Sequence, residues 1–288
     1  MSTETMVPET RVSVPHKPKR SLTGKSVSFI IALIVTVIAV FPLLWMLISA
    51  FKSSEEVLST SLIPHHATFS NFTYVLTKVP FPRYMFNSFV VAVVVTVAAL
   101  FFHSMAAYAL ARLRFPGRDA LFMVLFSTLL ITFPVILVPL FLIAHTLHIL
   151  DSYAGLIIPA IFNAFGIFLL RQFYITLPRE LEEAAIVDGC GYWTLYWRII
   201  LPLSKPVLAA LSVLFFLANW NSFLWPLIVT TDTHLSMVQL GIASFQQEHQ
   251  NDWNYTLAAS TIAALPTLAL FAVFQRHIVE SIKTSGFK

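Results

Sequence analysis

The feature that most constrains this chain is a series of long apolar runs. Phe29 to Ser49 is 21 residues without a charge. A membrane helix needs about 20 such residues. Five further runs of similar character lie at about 86–110, 120–144, 153–173, 206–229 and 255–274. In lipid, a spanning segment must satisfy its own backbone N–H and C=O groups, so runs of this length form helices. The expected fold is all-α, a polytopic membrane protein with six transmembrane helices. The third and fourth runs are separated only by His145–Ser152, so their boundary is the least sharply marked. The organisation read from these runs is a disordered tail over 1–25, a membrane domain over 26–276 and a second tail over 277–288. A loop of about 176–205 interrupts the membrane domain.

Composition explains why lipid is the solvent. Hydrophobic residues make up 57% and charged residues 11%, against about a quarter charged in globular chains. Mean hydropathy is +0.78. The first run is too long for a signal-peptide core and no small-x-small cleavage site follows it, so it reads as an uncleaved span. The single cysteine, Cys190, excludes an internal disulfide framework and any cysteine-based metal cluster.

Basic residues give the orientation. With the N-terminus in the cytoplasm, 15 of the 18 Lys and Arg fall on that side. The other side holds Lys52, Lys78 and Arg83. Both termini are therefore expected in the cytoplasm. The placement also accounts for the net charge of +4 and the pI near 9.2 without nucleic acid. No Asp, Glu, Lys or Arg lies well inside any of the six runs. Intramembrane ionisable groups usually mark ion paths, so their absence argues against an ion-coupled pump or a voltage sensor. No repeat relates the two halves, as many secondary carriers would show. His103 lies inside the second run and reads as either a hydrogen-bonded packing residue or a pore-facing one.

The loop between the fourth and fifth runs carries the densest pattern. Pro178 suits a first helical turn, and Glu180, Glu182 and Glu183 complement the positive end of the helix dipole. Gly189 ends that helix because it tolerates positive φ. A second short helix is expected over about Tyr192–Ile199, stopped by Pro202. Periodicity alone leaves this hairpin open between an interfacial anchor and a docking site.

Spacing adds more. Glu183-Ala184-Ala185, three residues, Gly189, nine residues, then Ile199-x-Leu201-Pro202 resembles the signature loop of binding-protein-dependent ABC importer permeases, with Asp188 before the glycine. Phe51-Lys52-Ser53, Asn87-Ser88, Ala107-Tyr108-Ala109, Gln275-Arg276 and Gly286-Phe287-Lys288 are similar to the carbohydrate-importer branch, and within it to the maltose-type second permease. The resemblance covers most of the chain from about residue 27. It implies a subunit of a prokaryotic inner-membrane importer, with Glu183, Ala184, Ala185, Asp188, Gly189, Ile199, Leu201 and Pro202 coupling it to an ATPase. It also implies a second, homologous permease as heterodimer partner, two ATPase subunits, an extracytoplasmic solute-binding protein and a surrounding bilayer. ATP and Mg would be bound by the ATPase, and no cofactor by this chain.

Asn219, Asn221, Ser222 and Trp225 form a polar and aromatic patch in the fifth run. Unpaired amides are costly in hydrocarbon, so they should face protein or a cavity. Read as one helix, Asn221 and Trp225 share a face. Aromatic faces and amides suit a neutral, hydroxylated substrate. The alternative is that the tryptophan belongs to an interfacial belt and the amides join helices. The segments 52–83 and 230–254 would, by the resemblance, meet the binding protein; otherwise they are solvated loops. No phosphate-binding glycine loop is present, nor a nucleophile triad. His65-His66 and His145/His148 lack a third metal ligand. The chain is expected to be neither an enzyme nor a metal protein. Rival readings are a glycerol-3-phosphate or phosphodiester importer permease, a stand-alone carrier and a membrane-embedded enzyme.

Overall fold

The computed structural model describes the backbone of residues 22–248 and 252–285, and side chains of 27–246 and 252–274. Most of the proposed N-terminal tail and the closing Gly286-Phe287-Lys288 lie outside the described residues. Among the described residues every regular element is helical. The chain divides into two compact units, residues 1–45 and 46–288. In the first unit lies most of α1 (Leu22–Ser49). Its stretch Val27–Ser49 has a mean hydropathy of 2.9 and apolar side chains exposed along its length, as lipid requires.

The second unit is organised on α3 (Phe81–Arg112), which follows the short α2 (Ser70–Thr77). At 32 residues, α3 is about 48 Å long and overruns the hydrocarbon at its ends. It begins five residues before the run read from the sequence. Ala92, Ala99 and Ala107 on α3 are buried. Small residues at these positions let neighbouring helices come close in the absence of a hydrophobic drive within lipid. The neighbours are α6 (Tyr153–Ile161), α7 (Ala164–Thr176) and α11 (Lys205–Trp220).

Three expected straight spans are broken. The third is α4 (Arg118–Ser127) with a 3₁₀ turn over Thr128–Leu130, then α5 (Phe133–Thr146), bent by 105°. Pro134 has no N–H to return to the preceding turn, which removes one helical hydrogen bond at this break. The fourth is interrupted at Phe162–Asn163, between α6 and α7. The fifth stops at Trp220 and restarts as α12 (Leu224–Val229). There the Asn219 and Asn221 amides donate to the Phe215 and Leu217 carbonyls, and Pro226 lacks the N–H that would bond back four residues. By length and composition, four helices can cross a membrane, and six if each sharply bent pair is one span.

The last helix, α14 (Trp253–Ser285), follows α13 (Val238–Glu248) and passes well beyond residue 274. Side-chain hydrogen bonds close the end of the unit opposite the 176–205 loop. Asn71 donates to the carbonyls of Ala50 and Lys52 and accepts from Asn254, each at 2.8 Å. The fully buried Lys52 donates to the Ser61 carbonyl at 2.6 Å. Asn87 donates to the His234 and Ser236 carbonyls, and the Ser88 hydroxyl accepts from Val238 N. Lys52 thus folds the 52–83 segment on itself, while Asn71, Asn87 and Ser88 tie the segments 52–83 and 230–254 to the helices.

Candidate functional site

The 176–205 loop leaves α7 at Thr176 and is gripped at once. Arg112, the last residue of α3, donates to the carbonyls of Tyr174 and Leu177, the latter at 2.6 Å. Its Nε stands 3.0 Å from Oε1 of Glu182 on α8 (Glu180–Val187). The Arg112 side chain is 5% exposed and that of Glu182 15%. Burial pushes the Glu182 carboxyl above its ordinary pKa, while Arg112 and Arg179 oppose the shift. One guanidinium therefore holds three elements together. We expect Arg112→Met to leave Glu182 desolvated without its main partner, at a cost of about 3–5 kcal/mol. Faster amide exchange across α8, with α3 unchanged, is the measurement; unchanged exchange in α8 would refute the clamp.

Pro178 does not enter α8. It precedes the Arg179 N-cap, because the chain must turn away from α7 before a new helix can start. Gly189 closes α8 at φ +81°, with its N–H donating to Ile186 O at 2.9 Å. The chain then reverses through Gly191 into α9 (Tyr192–Leu195), a π turn over Tyr196–Ile200 and α10 (Leu201–Leu203). Pro202 does not stop this second helix. The helical stretch runs on through Pro202 to Leu203, directly after the π turn, and the bend of 74° comes at Ser204.

The signature residues divide by face. Ala185 is buried with Leu195, Tyr196 and Ile200, and Ile199 and Leu201 pack against the same cluster. Glu183, Ala184, Asp188, Gly189 and Pro202 face outward. Beside them stand large exposed apolar side chains. Val187 is 86% exposed, and Tyr192 and Trp193 61% each. The signature spacing did not single these out, since α8 is too short to show an apolar stripe.

A cavity of about 410 Å³ lies among α3, the α6–α7 break and the α11–α12 break. Its walls are mostly apolar, and its polar residues are His103, Asn163, Asn219 and Ser222, with no charged residue among the lining. The Asn163 Oδ1 accepts from Phe165 N at 2.7 Å, which caps α7. The Asn219 amide donates to Phe215 O, leaving its oxygen to the cavity. Trp225 lines the cavity but is 5% exposed, and its indole N–H is held by Gly155 O at 2.9 Å. Asn221 does not share its face. The helix break turns Asn221 outward, where it accepts from Gln239 at 3.0 Å. Among the described side chains, Asn163 and His103 take its place at the cavity.

His103 is 1% exposed. Its Nε2 accepts the backbone N–H of Asn163 at 3.2 Å, at the α6–α7 break. Nε2 is then unprotonated, and a neutral ring carries its hydrogen on Nδ1. Gly166 makes room for it: a Cβ there would lie 2.3 Å from Nδ1 and 2.6 Å from the Phe215 ring. His103 is a buried, hydrogen-bonded packing residue that also lines the cavity. Asn163 could have been noticed as an amide between Pro159 and Gly166 inside an apolar run.

Residues 104–284 match the family model described as the binding-protein-dependent transport system inner membrane component. The chain belongs to this family. The permease is thus a non-catalytic transmembrane subunit of the ABC transporter class. The match includes the whole of α8–α10 and all three span breaks. The chain is 35% identical to the arabinooligosaccharide transport permease of Halalkalibacterium halodurans, over 87% of this chain and 92% of that one. It is 34% identical to the diacetylchitobiose uptake permease of Streptomyces coelicolor, over 91% and 89%. It is also 34% identical to the sn-glycerol-3-phosphate permease of Yersinia enterocolitica, over 89% and 95%. Among solved structures, a chain of a bacterial ABC transporter that imports the acidic polysaccharide alginate shares the fold. The TM-score is 0.79 at 23% identity, covering 90% of this chain and 99% of that chain.

Proposed function

We propose that this permease forms half of the translocation path of an ATP-driven importer for a neutral sugar or oligosaccharide. A second, homologous permease forms the other half. Two ATPase subunits dock on the cytoplasmic loop, and an extracytoplasmic binding protein delivers the solute to the 52–83 and 230–254 segments. The observation that carries this reading is the outward face of α8 and α9. Its Glu183, Ala184, Asp188 and Gly189, with Val187 and Trp193 beside them, stand on a base clamped by Arg112 and Glu182. Small residues permit close approach, exposed apolar side chains supply a buried area, and the clamp lets force pass to α3 rather than dissipate in a loose loop. The distribution of basic residues supports an orientation with both termini and this loop in the cytoplasm.

The cavity supports the substrate class. Hydroxyl and amide groups without a formal charge suit hydroxylated, uncharged solutes, and two of the relatives above carry oligosaccharides by name. The glycerol-3-phosphate relative is equally similar, and it is the second reading. A phosphate in the path calls for a cation, and the cavity lining has none.

Uptake of labelled arabino- or chito-oligosaccharides against glycerol-3-phosphate, in cells with this importer as the only route, tests the class. We expect Asn219→Ala with Ser222→Ala to reduce sugar uptake by about tenfold, the loss of one or two hydrogen bonds, and Asn221→Ala to leave it unchanged. The opposite pattern would remove the cavity from the path.

A further inference from the structure

We infer that the cytoplasmic turn between α3 and α4 is a binding site for the headgroup of an anionic phospholipid. The turn forms one wall of an open cleft of about 700 Å³ that Arg114, Arg118 and Arg179 share with a single carboxylate, Asp119. That carboxylate is already engaged twice. Arg118 Nε donates to it at 3.1 Å, and Arg171 approaches it at 3.6 Å. Arg114 and Arg179 are exposed and, among the described residues, neither is within salt-bridge distance of a carboxylate, although Arg179 acts on Glu182 from farther away. Two guanidinium groups outside salt-bridge distance of any described carboxylate are thus presented to one cleft. Planar forks of this kind match phosphate oxygens.

The depth of the cleft selects a lipid. The apolar stretch of α3 ends at Ala111, so Arg114 lies just outside the hydrocarbon, where headgroups are. From the same turn α4 runs back with no buried residue, exposing Leu121, Met123 and Val124 at 48–63%. Phe115, 38% exposed, sits at the junction. A charged cleft continuous with an apolar ridge is the complement of a phosphate carrying acyl chains. Basic pockets at the cytoplasmic ends of membrane helices bind such headgroups. Free phosphate would gain nothing from α4.

The test uses the importer complex purified through a tag on this chain and placed in nanodiscs of phosphatidylcholine with increasing phosphatidylglycerol. Retained lipid is measured by native mass spectrometry. The wild-type complex should retain phosphatidylglycerol in preference to phosphatidylcholine. Arg114→Gln with Arg179→Gln should lower that preference by about tenfold or more, at roughly fivefold per arginine. Both residues are exposed, so the fold is spared. Arg114→Lys with Arg179→Lys should keep most of it, and excess inorganic phosphate should not displace the lipid. Equal lipid retention by wild type and the glutamine variant overturns the site, as does displacement by free phosphate. Loss of the ATPase subunits at unchanged lipid preference would assign the arginines to a protein partner and overturn it equally.

Discussion

Gly189→Arg is expected to leave the permease in the membrane at its normal level and to abolish both ATPase attachment and uptake. Gly189 holds φ +81°, and nothing lies within 4 Å of a Cβ added there. The penalty for another residue is therefore conformational, about 1–2 kcal/mol for an L side chain in the left-handed region. That cost falls on one turn of an exposed loop and does not reach the membrane helices. Arginine adds a long cation at the tip of the proposed docking face, between α8 and α9, where a close partner would meet it first. A graded series separates strain from bulk. Asn, which tolerates left-handed φ better than other side chains, should retain more ATPase than Ala at this position. Arg should fall below both. Co-purification of the ATPase at the wild-type level with normal uptake in Gly189→Arg would defeat the coupling role.

His103→Asn and His103→Gln are expected to differ sharply although both exchange a ring for an amide. The Gln oxygen reaches the place of Nε2 and can accept the Asn163 N–H. The Asn oxygen reaches only the place of Nδ1, beside Gly166. In the Asn variant the backbone N–H at the α6–α7 break has lost its acceptor, at about 1–3 kcal/mol. The break would then be free to close up or slide, and the cavity wall would move with it. Uptake should fall by about tenfold or more in His103→Asn and remain near normal in His103→Gln, at equal membrane levels. Equal uptake by the two variants would show that the imidazole only fills space.

Much of this was legible before any coordinates. The apolar runs and the basic residues needed no tertiary information, because lipid leaves the backbone little choice but a helix. Gly189 was legible for the same kind of reason: a short helix that must reverse direction asks for a residue tolerant of positive φ. The helix breaks were not. Hydropathy is blind to Pro134, Asn163 and Asn221, which keep a run apolar on average while interrupting its hydrogen bonds. That is why Asn221 and Trp225 read as neighbours on one face, yet one faces out and the other is buried against Gly155. Arg112 reads in the sequence as one more cytoplasmic charge. Only its placement under α8 reveals that it holds Glu182 and two carbonyls.

The sequence by itself determined that this chain lives in lipid and which residue ends α8, and its basic residues set the side on which the loop is expected. These follow from local chemistry: solvation of the backbone, the cost of moving charge across a bilayer and the freedom of glycine at φ. The tertiary structure decided which polar groups meet. His103, Asn163, Asn219 and Ser222 come from α3, the α6–α7 break and the α11–α12 break, and they share one cavity because those segments pack around it. Within each run alone, each of them is an isolated polar residue. Their meeting depends on distances between segments, which a linear pattern does not contain.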